Sequence, residues 1–176
     1  MTQPPHRGGA GAGRAGAADV AGIVARALAG MDAPFVREGD DAFLVTLPGV
    51  RRHRTLVWLV VGAHELLVES FVCRKPDENH EEVYRYLLQR NASLRTVAYA
   101  VDAVGDIHLV GRLGRDSVTP EEIDTLLGVV LETSDSDFNP ILERGFASAI
   151  RREWAWRTSR GDSVKNLEAF RHLIGT

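Results

Sequence analysis

The chain has 176 residues, 44% of them hydrophobic and 26% charged, enough for one domain with a filled core. Its formal net charge of -3 lacks the basic excess that a nucleic-acid partner demands. No apolar run approaches the roughly 20 residues of a membrane-spanning helix, so neither a nucleic acid nor a membrane is an expected partner. Cys73 is the single cysteine, which excludes an internal disulfide and fits a reducing compartment. The opening residues lack the apolar run of a secretory signal, so a cytoplasmic location is expected.

Residues 1–17 are dominated by Gly, Ala and Arg and have too little apolar surface to bury; they are expected to form a flexible tail. Residues 18–176 then form one domain. A first helix is predicted over 18–30, where Val20, Ile23, Val24, Ala27 and Leu28 recur on one helical face. Phe35 to Arg37 reads as a short strand that turns at Gly39-Asp40-Asp41 into a second, Phe43 to Leu47, which Pro48-Gly49 breaks. Thr55 to Val61 is apolar and β-branched, as in a central strand, and pairs as a hairpin with Glu65–Cys73.

A second helix follows. Asn79 is its expected cap, with Glu82 reaching back as in a capping box. Val83, Tyr84, Leu87 and Leu88 form its apolar stripe, and Asn91 suits the left-handed position after its last turn. Strands at 96–102 and 107–113 meet in a turn at Ala103-Val104-Gly105-Asp106. Thr119-Pro120-Glu121-Glu122 starts a third helix, with Thr at the cap and Pro in the first turn. Ile123, Leu126, Leu127, Val130 and Leu131 give its buried face, and Asp135 to Asn139 is expected to interrupt it. A further helix runs to Gly161, and a short one begins at Asp162 or Ser163, with Val164, Leu167, Phe170 and Ile174 on one side. Strands in consecutive runs joined by short turns predict an α+β fold with a mostly antiparallel sheet.

Few motifs carry chemistry. Gly11-Ala12-Gly13-Arg14-Ala15-Gly16 matches the dinucleotide-binding spacing, but no strand feeds it. Asp135-Ser136-Asp137-Phe138-Asn139 opens like a calcium loop, yet Pro140 and Phe146 stand where Gly and Glu are required. No two histidines lie three or four residues apart, so no metal site is expected. His108 faces Asp102 or its neighbours across a hairpin, more simply as a cross-strand contact than as a proton-transfer residue. Cys73 lies beside Arg74 and Lys75, which would lower its pKa if it were exposed. No catalytic residues and no cofactor are assigned.

The remaining candidate is Arg151-Arg152-Glu153-Trp154-Ala155-Trp156-Arg157-Thr158-Ser159-Arg160. Trp and Arg bring large contact areas and directional hydrogen bonds, and both are enriched at binding hot spots. Helical spacing places Arg152, Trp156 and Arg160 on one line. Trp154 falls off that line, so the two tryptophans are expected to do different work. The simpler alternative has Trp154 packed inward, Trp156 over the sheet edge, and the arginines paired with surface carboxylates.

Several segments together resemble the YbjN family, whose members are described as sensory transduction regulators. They are Tyr84 to Asn91, Gly105 to Leu113, Ile123 to Gly128, Phe138 to Phe146, and Arg152 to Arg157. The resemblance implies helices layered on a twisted antiparallel sheet of the type III secretion chaperone-like kind, commonly in a homodimer. It implies no reaction. The leading expectation is therefore a non-enzymatic interaction module, chaperone-like or regulatory, that holds a partner protein or peptide through Arg152, Trp156, Arg157 and Arg160. The alternative is a sensor whose small anionic ligand is held by the same cluster. An enzyme would need a pocket built from His108, Asp102 and Asp106.

Overall fold

The computed structural model describes residues 14–31 and 33–175, with side chains from Asp19 onward. Helix α1 (Arg14–Gly30) leads into strands β1 (Phe35–Glu38), β2 (Ala42–Pro48), β3 (Arg54–Val61) and β4 (Glu65–Cys73). Helix α2 (His80–Asn91), strands β5 (Val97–Val101) and β6 (Ile107–Gly114), and helices α3 (Pro120–Gly145) and α4 (Ala147–Arg160) follow. A 3-10 helix, Lys165–Leu173, comes last. The class is α+β, with six antiparallel strands in the order β1-β2-β3-β4-β6-β5. Residues 14–17 of the expected tail belong to α1, whereas residues 1–13 lie outside the described residues, as does most of the glycine spacing at 11–16.

The two faces of the sheet differ. Strand side chains alternate in direction, so β2 turns Phe43, Val45 and Leu47 to one side and β3 sends Val57, Leu59 and Val61 the same way. Leu66 and Val68 of β4 and Ile107 and Leu109 of β6 complete that side. Against it pack Val20, Val24, Ala27 and Leu28 of α1 with Ile123, Leu126, Leu127 and Val130 of α3. Each fully buried Leu, Ile or Val contributes about 1.5–3 kcal/mol of hydrophobic stabilisation. The other face carries Leu44, Leu56, Trp58, Val60, Leu67, Phe71 and Val110, all half-buried except Trp58, which is buried but outside the main core.

Three local expectations fail, each because a tertiary contact outweighs the local one. Asn79 does not cap α2 with its side chain. It adopts a left-handed backbone (φ 51°) and donates its amide to the Arg144 carbonyl. Asn91 is not left-handed. It ends α2 and pairs with the Tyr99 backbone, accepting from its N–H at 2.7 Å and donating to its carbonyl at 3.2 Å. Residues 135–139 do not interrupt α3, which runs through them, with Pro140 inside it, to Gly145, and the break falls at Phe146. Gly145 is packed so tightly that a Cβ there would come within 2.9 Å of Pro76.

The acidic residues in that stretch are anchors rather than helix breakers. Asp135 Oδ1 accepts the backbone N–H groups of Val50, Arg51 and Arg52 at 2.9, 2.7 and 2.9 Å, tying the β2–β3 loop to α3. Asp137 is 3% exposed. Its carboxylate accepts Tyr86 Oη–H at 2.7 Å, Tyr99 Oη–H at 2.9 Å and Arg90 Nε–H at 2.8 Å. Burial, then the bond to Asp137, pushes the Tyr86 phenol up to about 12. Burial beside the same carboxylate also raises Tyr99. Replacing the carboxylate strands a guanidinium and two phenols. Asp137→Ala is expected to lower the free energy of unfolding by about 3 kcal/mol in urea titrations, several times the effect of changing an exposed acid such as Glu121.

Candidate functional site

Helix α4 carries the Arg/Trp segment and is held at both ends. Its first turn leaves backbone N–H groups without helical partners. Glu78, in the β4–α2 loop, satisfies one of them: its carboxylate accepts Ser148 N–H at 2.6 Å and Ser148 Oγ–H at 2.8 Å. Those bonds hold the Glu78 carboxyl below its ordinary value, helped by Arg151 and Arg152. Gly161 ends the helix in a left-handed conformation (φ 72°) as expected; Gly161 N–H donates to Thr158 and Asp162 N–H to Arg157. That is the double bond pattern of a Schellman cap, which only a residue comfortable at positive φ accommodates.

The four candidate residues divide. Arg152, Trp156 and Arg160 are exposed, with Trp156 at 53%. The Arg160 guanidinium lies 5.0 Å from the Trp156 ring centre, and its Nε is 3.4 Å from Asp162. Arg152 makes no hydrogen bond or ion pair among the described residues. Arg157 faces inward: it donates to Glu153 at 2.6 Å and to the Ser163 carbonyl and Asn166 Oδ1 at 3.1 Å each. It fastens the 3-10 helix to α4, with help from Arg151, which donates to the Leu173 carbonyl. Leu167 and Phe170 bury the other side of that helix, and their spacing of three matches the 3-10 repeat. The two tryptophans do differ: Trp154 is half-buried with Arg171 6.0 Å from its ring, while Trp156 is exposed on α4. Glu78 and Ser148, which set the position of this helix, carry no sequence signal; a glutamate before one helix gives no hint that it caps another.

The reactive-residue candidates resolve differently. Burial pushes the Cys73 thiol up to about 11, outweighing Arg52 and Arg74, so the thiolate is scarce near neutral pH. His108 lies between two carboxylates: Nδ1 is 3.2 Å from Glu69 Oε1 and Nε2 is 3.5 Å from Asp102 Oδ2. Both contacts have ion-pair length without hydrogen-bond alignment. Asp102 Oδ1 is used up by the β5–β6 turn, accepting N–H groups of Val104, Gly105 and Asp106. Asp106 Oδ1 accepts Lys75 N–H. The three groups an enzyme would require therefore do not line one pocket as a catalytic set. Among the described residues no group of three or more His, Cys, Asp or Glu is placed to hold a metal ion.

Glu69, opposed by burial, raises the His108 pKa above its ordinary 6.5. A raised folded-state pKa means that the stabilisation is fully present below about pH 6.5 and is lost as pH rises through the folded value. A proton NMR titration should therefore place His108 above the ordinary imidazole value of about 6.5. His108→Gln should abolish the part of the stability decline that wild type shows above about pH 6.5.

Comparison with known proteins puts this geometry in a family. An uncharacterized protein of Mycobacterium leprae is 57% identical over 139 residues, 79% of this chain and 76% of that one. An uncharacterized protein of Mycobacterium tuberculosis is 57% identical over 135 residues, 77% and 74% of the two chains. Among solved structures, the HopA1–SchA chaperone–effector complex is similar at a TM-score of 0.48 with 12% identity, covering 72% of this chain and 92% of that one. The Yersinia pestis type III secretion chaperone SycH, in complex with a stable fragment of YscM2, is similar at 0.44 with 13% identity, covering 67% and 96%. No helix among the described residues is long and apolar enough to cross a membrane. The family match stops short of α4, so the exposed Arg–Trp line stands on this chain's own geometry; over residues 21–143 the chain belongs to the YbjN family, "Putative bacterial sensory transduction regulator".

Proposed function

We propose that the protein is a non-enzymatic interaction module that holds a partner protein or peptide, in a chaperone-like or regulatory role. The observation that carries this reading is the exposed line Arg152, Trp156 and Arg160 on a helix braced at both ends. Trp156 offers a large apolar anchor at little entropic cost, and the flanking guanidinium groups can take carboxylates of a partner in bidentate fashion. Arg157 serves the surface from behind by keeping the 3-10 helix against α4. Membership of a family described as regulators supports the same role. A cytoplasmic homodimer is part of the proposal.

A small anionic ligand on this cluster is the weaker reading. Small-molecule sites are concave. Three side chains along one line of an exposed helix form a ridge, and Arg157, which would complete a clamp, is already committed to three internal bonds. The non-enzymatic reading is supported by the Cys73 and His108 environments, neither of which offers a nucleophile or a free base near neutral pH.

Capture of partners from native lysate tests the proposal. A folded Arg152→Ala/Trp156→Ala variant should lose a protein that wild type retains, with affinity reduced at least about 30-fold, as expected when hot-spot residues are removed. Equal retention by both forms would refute the site, and sedimentation of wild type would refute the homodimer if it gave a monomer.

A further inference from the structure

Strand β5 ends the sheet beyond β6, so one side of its backbone faces away from the other strands. Asp102 N–H donates to the Asp106 carbonyl at 3.0 Å across the β5–β6 hairpin. Backbone groups alternate along an antiparallel strand, so Ala98 and Ala100 also turn theirs to β6, while Val97, Tyr99 and Val101 turn theirs outward. Such an edge is a template for another strand unless something blocks it. The opposite edge is blunted by shortness and charge: β1 has four residues and carries Arg37 and Glu38. Strand β5 has no charged residue and no proline, and its register with β6 has no bulge.

The sequence of β5 adds a hazard, because Val97-Ala98-Tyr99-Ala100-Val101 reads the same in both directions. Antiparallel pairing with β5 of a second copy, about a two-fold axis at Tyr99, would set Val97 against Val101 and Ala98 against Ala100 with no opposed charges. The two Tyr99 residues would then exchange a pair of backbone hydrogen bonds. The side chain of Asn91 occupies that place. Its Oδ1 accepts Tyr99 N–H at 2.7 Å, and its Nδ2–H donates to the Tyr99 carbonyl at 3.2 Å. A carboxamide presents an acceptor and a donor as a peptide group does, so Asn91 makes at Tyr99 the two bonds that a residue of an added strand would make. At Val97 the backbone closes on itself: Thr96 has a φ of 69°, and Val97 N–H turns back to the Arg95 carbonyl at 2.7 Å. That tight turn is rare for a β-branched residue, and it takes the Val97 N–H off the edge.

We propose that Asn91 is an autoinhibitory latch: its carboxamide stands in for a further strand at the centre of β5 and shuts that edge against self-pairing with β5 of a second copy. Asn91 is the last residue of α2. Beyond the buried Leu87, the last turn exposes Leu88 and Gln89 and is fastened by Arg90 to Asp137 and by Asn91 to Tyr99. Helix ends fray readily, and a strand reaches Tyr99 only when this turn lifts. The latch is separate from the ridge on α4, and a homodimer built on another surface would carry one latch on each copy.

The test compares full-length wild type with Asn91→Gly, which removes the carboxamide and loosens the helix end. In wild type, hydrogen exchange should be at least about tenfold slower at the Tyr99 amide than at the Val101 amide, which faces the same way without a hydrogen-bond partner among the described residues. Asn91→Gly should erase that difference and gain an association step in sedimentation that wild type lacks, whatever state wild type itself adopts. Adding Ala98→Lys and Ala100→Lys, both at exposed positions, should suppress the new step, because lysines opposed across the pair repel. Asn91→Ala, which removes the carboxamide but favours the helix, should show a smaller gain in the same direction and serves if glycine unfolds α2. Asn91→Asp keeps an acceptor for Tyr99 N–H and should retain the slow exchange. Equal exchange at the two amides in wild type overturns the latch. Loss of the difference in Asn91→Gly without a new association step, or a new step that the lysines leave intact, overturns self-pairing at β5 as the event it prevents, and with it the proposal.

Discussion

Three hydrogen bonds end on the buried carboxylate of Asp137, and they join two further elements to α3. Tyr86 and Arg90 belong to α2, Tyr99 to β5, and Asp137 to the middle of α3. The strand order places β5 at the sheet edge, beyond β6, so α2 must carry the chain from β4 past β6 to reach it. Nothing in backbone pairing fixes where that crossover helix lies. The buried carboxylate does so together with the core contacts of Val83 and Leu87, because a site that leaves any of its donors unpaired in a low-dielectric interior is disfavoured by several kcal/mol. Two residues earlier, Asp135 performs the same service for the β2–β3 loop with three backbone N–H groups. One helix thus positions a crossover, an edge strand and a loop through two aspartates.

That arrangement explains why the two faces of the sheet differ. Helices α1 and α3 fill one face with aliphatic side chains from four strands. The opposite face carries Trp58, Phe71 and several half-buried aliphatic residues, next to Arg52 and His108. Asp135 grips the Arg52 backbone, and Phe138, one helical turn away, supports its guanidinium, which also donates to the Phe71 carbonyl. The same turn of α3 thus anchors the loop and packs against its partly desolvated cation.

Helix α4 adds a second, outward-looking surface by a similar division of labour. Its arginines are too numerous for one role, and the structure separates them by direction. Arg151 and Arg157 hold the C-terminal 3-10 helix through backbone carbonyls, whereas Arg152 and Arg160 flank Trp156 in solvent. Guanidinium groups suit both tasks, since their fork of donors can bridge carbonyls internally or meet a carboxylate from outside. Glu78 caps the helix from a distant loop, so the direction of the whole ridge depends on a residue 70 positions upstream.

Periodicity and turn chemistry in the sequence were enough to place all six strands, the Thr119 cap, the Gly161 terminus and the core faces of α1 and α3, because those features arise from neighbours within one turn or one hairpin. The line of Arg152, Trp156 and Arg160 was legible for the same reason. Other roles were decided only by tertiary structure. Asp135 and Asp137 read as helix breakers because short acids favour caps and turns, yet each found distant donors that made a helical position better. Asn79 and Asn91 had the right local chemistry for caps and were recruited by Arg144 and Tyr99 instead. Arg157 could not be told from Arg152 without knowing where the last helix packs. A cavity beside Trp58 is assembled from a loop, β3, β4 and β6, whose pairing no single stretch of sequence encodes. Local backbone preferences are worth about 1 kcal/mol or less each, and a buried network of charged hydrogen bonds exceeds that, so wherever the two compete the distant partner wins.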